Sequence, residues 1–390
     1  MSTVVTAPNP IGFALTDEQK QLQDTARKFA ADVIRPVAPH HDRTEEFPEK
    51  VLRKAHEVGL MNLIIPAEYG GMGISAVDGV IATEESAWGC AGIATSLMAN
   101  DLALSPIVLD ASEEQKKEWL PKFQDYRLAS FCLSEPSAGS DVAGMQTTCR
   151  REGDYYILNG SKQWITNATY ADQFTVFASL DKSKRHKSLC AFIVDAKTPG
   201  ITVGKPEDKM GQRASNTAPI TFEDVKVPVA NRIGEEGQGW MIAMRTLDKS
   251  RPMVAAICVG IARAAMEHAV DYSKERKQFG EPIANFQGIQ FLIANMAMKT
   301  QASRLLTWQA AWALDQGQRA SLYSSYAKSF AADTCMEVTT DAVQVFGGYG
   351  YTKEYPVEKL MRDAKLMQIY EGTAQVQRMV IAREIIKGNV

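Results

Sequence analysis

The chain has 390 residues, 45% of them hydrophobic and 23% charged, with a net charge of −3 from 43 Lys and Arg against 46 Asp and Glu. That length suits two or three domains by the rough prior of ~150 residues each, and the composition is that of an ordinary globular protein that can bury a large core. The weak acidic balance leaves no basic footprint for nucleic acid. Cys90, Cys132, Cys149, Cys190, Cys258 and Cys335 lack CxxC or Cys/His spacing, and none of the five histidines sits in an H-E-x-x-H arrangement. They read as reduced thiols and solvated imidazoles, with no dedicated metal site.

Met1–Pro10 lacks the charged and apolar regions of a targeting signal and reads as a short disordered leader. No uninterrupted apolar run approaches the ~20 residues of a membrane-spanning helix, so no membrane insertion and a cytoplasmic location are expected. From Leu15 to Arg127 the pattern is helical. Thr16 is a candidate cap, and Leu22, Ala26, Phe29, Ala30 and Val33 recur at helical spacing. A second helix is expected over Val51–Leu60, closed by Gly59. After a glycine-rich loop ending at Gly73, Val77–Leu109 is apolar or small except mainly for Glu84, Glu85, Asn100 and Asp101, which implies helices buried on most sides. Ser112 is placed to cap one more helix.

From Ala129 the pattern changes to short β-type runs, Ser130–Ser134, Tyr155–Asn159, Gln173–Leu180, Leu189–Val194 and Ile220–Val227, with turn signals at Glu152-Gly153-Asp154 and Asn159-Gly160. These predict an antiparallel sheet or barrel of roughly 100 residues. After Gly239 helical patterning resumes at Trp240–Lys249, Arg251–Gln278, Ile289–Ala313 and Ala320–Phe346, then in a terminal pair flanking Glu371, as in a helical bundle. The reading is α+β, with an N-terminal α-helical domain over 1–127, a middle β domain over 128–236 and a C-terminal helical bundle over 237–390.

Five motifs can carry chemistry. In Tyr370-Glu371-Gly372-Thr373 an acid stands beside a glycine that lets a ligand approach, and Thr373 can cap the next helix. Glu371 either takes a proton there or serves the helix start, where acids are common. The loop through Ser134 and Ser140 is either an anion nest or a plain connection between strands. Trp164, with Thr166 two residues on, shares a strand face and either stacks on a flat cofactor or fills a core. Arg276–Gly280 and Gln344–Gly348 offer cations, an amide and a glycine pair, or simple helix capping.

In this order and spacing, Leu133–Asp141, Trp164–Asn167, Asp248–Pro252, Glu275–Gly280, Gln344–Gly348 and Tyr370–Thr373 resemble the acyl-CoA dehydrogenases, and the resemblance runs from about Phe13 to Gly388. Met210–Arg213, Phe222–Pro228 and Glu354–Lys365 are most similar to the medium-chain branch. The resemblance implies an N-terminal helical domain, a middle β-barrel and a C-terminal four-helix bundle, with FAD held between them. It implies a flavin ring surrounded by Phe131, Leu133, Ser134, Trp164, Ile165 and Thr166, with Ser140 near the pyrophosphate or the CoA arm. Arg276, Gln278, Phe279, Gln287, Gln344, Gly347 and Gly348 would hold the ADP half across a subunit boundary in a homotetramer, with Thr373 and Gln375 also at the cofactor. Asp248, Arg251, Arg319, Ser321, Tyr370 and Gly372 would meet acyl-CoA.

Glu371 resembles the family's catalytic base, which removes the α-proton of an acyl-CoA while the β-hydrogen leaves as hydride to the flavin, the electrons passing on to electron-transfer flavoprotein. A free glutamate with a pKa of about 4.3 is a poor base for so weak an acid. Desolvation by the ligand is therefore expected to raise it. Some relatives carry the base at the position that resembles Ser250, where serine cannot serve, which argues against the isovaleryl and long-chain subtypes. Ser134, Phe131 and Ser137 depart from a commoner threonine, tyrosine and glycine without removing a required group. Met98 stands where the medium-chain enzyme has a glutamate, and Asn216–Pro219 departs from an Asp-Thr-Arg pattern, so chain length is open. The alternatives are an acyl-CoA oxidase or flavin monooxygenase on the same fold, and a flavin-bearing scaffold without activity.

Overall fold

The structure is a computed structural model that describes residues 14–388; the Met1–Pro10 segment read as a leader lies outside them. Six helices come first: α1 (Asp17–Phe29), α2 (Ala38–Thr44), α3 (Glu49–Glu57), α4 (Ala76–Gly89), α5 (Ala91–Asp110) and α6 (Glu113–Trp119). Thr16 and Ser112 cap as expected, each closing a capping box with the glutamine three residues on. The second predicted helix stops at Glu57, short of Leu60, and Gly59 turns the chain at φ +73°. The apolar stretch 77–109 is two helices broken at Cys90, whose extended backbone ends α4.

Eight strands follow: β1 (Ala129–Cys132), β2 (Thr148–Glu152), β3 (Tyr155–Thr166), β4 (Gln173–Ser179), β5 (Leu189–Asp195), β6 (Ile201–Val203), β7 (Thr217–Pro228) and β8 (Arg232–Ile233). Their order is β6-β7-β3-β2-β4-β5-β8, with β1 added parallel on β4. Short β2, β6 and β8 carry too few apolar residues for periodicity to reveal. Glu152-Gly153-Asp154 makes the β2–β3 hairpin, with Gly153 at φ +61°. Asn159-Gly160 does not turn. It lies inside β3, where the register against β7 slips, and a Cβ on Gly160 would stand 2.6 Å from the Thr147 backbone.

Helix α7 (Gly239–Glu275) runs 37 residues through Pro252, and is followed by α8 (Gln287–Asp315), α9 (Ser321–Phe346), α10 (Val357–Met367) and α11 (Ala374–Ile386). It ends before the predicted Gln278 because β9 (Lys277–Gln278) pairs with β10 (Glu281–Pro282) in a tight hairpin whose tip, Phe279-Gly280, has both φ values positive. Helices α5 and α7 are long and apolar enough to cross a bilayer, which the count of uninterrupted apolar runs had not suggested. Their apolar windows are 83% and 72% buried inside the protein, as for core helices.

The N-terminal and C-terminal helices share one apolar core, which takes in Ala26, Leu52, Ile93, Val254, Ile261, Ala331 and Ala364. Where α4 crosses α7 the backbones nearly touch: a Cβ on Gly260 would lie 2.5 Å from the Glu84 carbonyl oxygen. The acids that interrupt α4 are paired there, Glu84 with Arg263 at 2.7 Å and Arg304 at 2.9 Å, Glu85 with Arg263 at 2.6 Å and Arg27 at 2.9 Å.

In the β unit Lys162 is fully buried and bonds Glu135 at 2.8 Å and the Leu133 carbonyl at 3.2 Å, while Glu135 also accepts from the backbone N–H groups of Gln146 and Thr147. Removing one member of such a pair strands the other charge, at a cost of about 3–5 kcal/mol. Lys162→Met should therefore lower the denaturant midpoint strongly, and adding Glu135→Leu should recover much of the loss; equal midpoints for the two variants would refute this account.

Candidate active site

Helix α10 ends at Met367, and the chain reverses through Glu371 at φ +52° and Gly372 at φ +87° before α11 begins under its Thr373 cap, whose hydroxyl oxygen accepts from Val376 N–H at 3.1 Å. A left-handed glutamate is uncommon and is held by its surroundings. The Gln377 amide donates to the Glu371 carbonyl at 3.3 Å and to the Gly372 carbonyl at 3.1 Å, and the Lys328 ammonium donates to the Gly372 carbonyl at 2.7 Å. A Cβ on Gly372 would stand 2.4 Å from that amide nitrogen, so a larger residue there would have to displace the Gln377 side chain and hold a left-handed backbone.

The Glu371 residue is partly buried, but its carboxylate lies deep. Ser250 Oγ donates to Oε2 at 2.5 Å, while Oε1 is out of solvent and has no partner among the described residues. Burial pushes the carboxyl above the usual glutamate range, and the Ser250 hydroxyl, Lys328 and Arg251 pull it back only in part. The protein alone thus supplies desolvation that the sequence reading had left to the ligand. Ser250 is not idle either; it orients the acid.

Arg251, 5% exposed on α7, donates to Asp248 at 2.6 Å and leaves its Nε unpaired. Asp248 also accepts from the Ser321 hydroxyl, and its backbone carbonyl accepts from Ser324, so the Asp248–Arg251 motif is tied to α9. Arg319 is largely exposed and pairs with Glu384 at 2.8 Å. The Tyr370 hydroxyl donates to Met367 Sδ at 3.3 Å, the Gln212 amide donates to the same sulfur at 3.2 Å, and Thr95 donates to Gln212 at 2.7 Å, which brings the Met210–Arg213 motif beside the Tyr370–Glu371 turn. Met98, three residues along α5 from Thr95, is buried in the shared core.

The structure brings together the two segments read as flavin contacts: Gln163 N–H donates to the Ser134 carbonyl at 2.9 Å, and Ser130 Oγ to the Thr166 carbonyl at 2.7 Å. Trp164 fills no core. It sits at a second register slip of β3, at φ +63° and 61% exposed, so the simple strand alternation with Thr166 does not hold there. Phe131 packs edge-on against Phe177, while Leu133 and Ile165 turn into separate cores. Ser140 is exposed.

Arg276, Gln278, Gly347 and Gly348 line one cleft of about 520 Å³. Arg276 lies 5.4 Å over the Tyr349 ring and has no acidic partner among the described residues, Phe279 is 96% exposed, and nothing stands within 4 Å of a Cβ on either glycine. Gln287, Gln344 and Gln375 are exposed on α8, α9 and α11. An unpaired arginine, an open glycine backbone and exposed aromatics fit a flat, diphosphate-bearing ligand. Lys328, Gln377 and Gln212 were missed by sequence reasoning. Lys328 carried a signal, a lysine on an α9 stripe of Ser324, Ser325, Ala327, Ala331 and Cys335 that is otherwise small and buried.

Three family models match in succession: "Acyl-CoA dehydrogenase, N-terminal domain" over residues 16–126, the middle domain over 130–225 and the C-terminal domain over 237–386. The chain is 44% identical over 375 residues, 95% of this chain and 99% of the relative, to the 3-(aryl)acrylate reductase of Clostridium sporogenes. Butyryl-CoA dehydrogenase from Megasphaera elsdenii has the same fold with a TM-score of 0.94 and 42% identity, covering 96% of this chain and all of that one. A chain from a structure described as "Electron transferring flavoprotein of Acidaminococcus fermentans: Towards a mechanism of flavin-based electron bifurcation" matches with a TM-score of 0.95 and 45% identity, over 97% of this chain and all of that one.

A carboxyl whose folded pKa is raised stabilises the fold below its unfolded pKa of about 4.5, and that contribution is lost as pH rises through the folded value. Glu371→Gln should accordingly melt above the parent at pH 8, with the gap shrinking toward pH 4. A variant that melts lower at pH 8 would contradict the burial of an ionised acid.

Proposed function

The chain belongs to the acyl-CoA dehydrogenase family, and we propose that it oxidises a short- or medium-chain acyl-CoA, straight or branched, to the trans-2-enoyl-CoA and delivers the electrons to an electron-transfer flavoprotein. It is an FAD-dependent oxidoreductase acting on CH–CH donors. The observation that carries the reading is the unpartnered, buried Oε1 of Glu371, a proton acceptor with no other occupation. When bound, FAD would supply the hydride acceptor for the β-hydrogen.

The chain's own residues do the rest. Glu371 takes the α-proton, and its raised pKa brings the acid nearer the operating pH, where a general base is most effective. Ser250 fixes the carboxylate through Oε2 and leaves Oε1 to meet the substrate. The Glu371 N–H, held by the left-handed turn, is the donor for the thioester carbonyl, a preorganised dipole aimed at developing charge. Phe131, Leu133, Ser134, Trp164, Ile165 and Thr166 would surround the flavin ring. Arg276, Gln278, Phe279, Gln287, Gln344 and the Gly347-Gly348 pair hold the ADP half of a neighbouring copy's cofactor, in a homotetramer. Asp248, Arg251, Arg319, Ser321, Tyr370 and Gly372 meet the acyl-CoA, and Thr373 and Gln375 approach the cofactor. Unit boundaries near 127 and 236 follow the passages from helix to strand and back.

Support for a short acyl chain comes from the butyryl-CoA dehydrogenase at 42% identity. Bleaching of flavin absorbance should be fastest with C4 to C8 acyl-CoA, with slow reoxidation in air. Fastest reduction by C14 or C16 chains overturns the length assignment, and rapid peroxide release overturns the dehydrogenase in favour of an oxidase. Glu371→Gln should retain FAD and lose reduction by acyl-CoA by at least about 1,000-fold, the upper part of the range for general-base catalysis. Retained turnover would remove Glu371 from the reaction.

A further inference from the structure

Among the largest fully buried side chains of the described residues, two are lysines, Lys162 and Lys328. Lys162 is explained by its ion pair with Glu135. Lys328 has no carboxylate within 4.0 Å among the described residues, and its hydrogen bond is to the Gly372 carbonyl at 2.7 Å. An ammonium removed from water without a contacting counter-charge is costly. Its position at the back of the Glu371 turn accounts for it.

We propose that Lys328 is a positioning residue for the base: its buried ammonium pins the Glu371–Gly372 turn and supplies the positive charge that keeps the Glu371 carboxylate ionised before the substrate arrives. The inference rests on Glu371 being the base. The charged and titratable groups facing Lys328 are Cys258 and Arg251 on α7, Asp333 on its own helix, and Glu371. Asp333 is taken by Gln368 at 2.7 Å and Arg378 at 2.5 Å, and Arg251 by Asp248. Burial raises the Cys258 thiol to about 12, so it stays neutral. Glu371 is the acid left with an unpartnered oxygen.

A merely structural staple does not need a charge here. The Gln377 amide already donates to the same Gly372 carbonyl at 3.1 Å. A lysine adds what a neutral donor cannot, a field in a site with little water, where charges act over longer distances than at the surface. Burial lowers the Lys328 ammonium to about 8, so the charge is still present at neutral pH. The base is thus set between opposing influences: desolvation raises it, while Ser250, Lys328 and Arg251 hold it down.

The test compares Lys328→Met, of similar length but without charge or donor, with Lys328→Arg, which keeps both, in flavin-loaded enzyme and with the acyl-CoA turned over best. For Lys328→Met the acid limb of the kcat/KM profile, which reports the free enzyme, should move up by about one pH unit, the size expected for losing a nearby charge. In the same variant kcat should fall about ten-fold at pH 7 with KM little changed. Lys328→Arg should restore the parent limb. If Lys328→Met does not accumulate with flavin bound, Lys328→Gln, which drops the charge and keeps a donor, carries the same measurement. An acid limb unmoved in the neutral variants, even with kcat reduced, overturns the proposal and leaves Lys328 a structural staple. Turnover by Glu371→Gln would instead bring down the functional reading itself.

Discussion

A carboxylate cannot be buried cheaply, and the arrangement around Glu371 follows from that constraint. The group must be dry enough to be basic, yet must remain ionised without a full counter-ion that would quench it. The protein meets both demands with graded partners: a hydroxyl in contact, a lysine bonded to the next carbonyl, and an arginine whose own charge is largely committed to Asp248. The second carboxylate oxygen remains unpartnered. A direct salt bridge would have stabilised the anion and pulled its pKa down.

These partners come from separate helices, so the site depends on how the helices are packed. Ser250 and Arg251 lie on α7, Lys328 on α9, and Glu371 between α10 and α11. Their relative height is set by a core shared between N-terminal and C-terminal helices and by close crossings such as that at Gly260. The β unit is fastened to the same frame by polar groups on α5: the Asn100 side-chain amide oxygen accepts from Ala129 N–H at 2.8 Å, the Ser96 backbone carbonyl from Asn167 at 2.9 Å, and the Ala103 backbone carbonyl from Thr175 at 2.7 Å. Interruptions such as Asn100, Glu84 and Glu85 in a stretch that otherwise reads as pure core are therefore joints. Their hydrogen-bonding capacity is spent on neighbouring elements.

Strain and missing partners gather where chemistry is expected. Glu371 and Trp164, an acid and an aromatic singled out from the sequence, both adopt left-handed backbone conformations that ordinary residues avoid. Arg251 Nε, Gln377 Oε1 and Glu371 Oε1 all lie buried without partners, whereas the buried charges Glu84, Glu85 and Lys162 each contact an opposite charge. A fold selected for stability alone would have satisfied or removed them.

The amino-acid sequence determined the division into helix, strand and helix, because apolar period is a local property and each zone is long enough to average over exceptions. It marked Glu371 as a candidate, since an acid beside a glycine between two helical runs is visible in four residues, although only the resemblance to a family singled it out as a base rather than a helix-start acid; the helix caps are written within one turn. It misjudged Asn159-Gly160, because a glycine with positive φ serves a bulge as well as a turn, and only pairing with β7 decides which. It set Ser250 aside as a residue unable to act, and overlooked Lys328. Only the tertiary structure could correct these, because the Ser250–Glu371 contact spans 121 residues of chain and the Lys328–Gly372 contact 44. Which residues can react is a matter of type and local context; how basic the acid is depends on burial and on charges brought from elsewhere, and those exist only once the helices have packed.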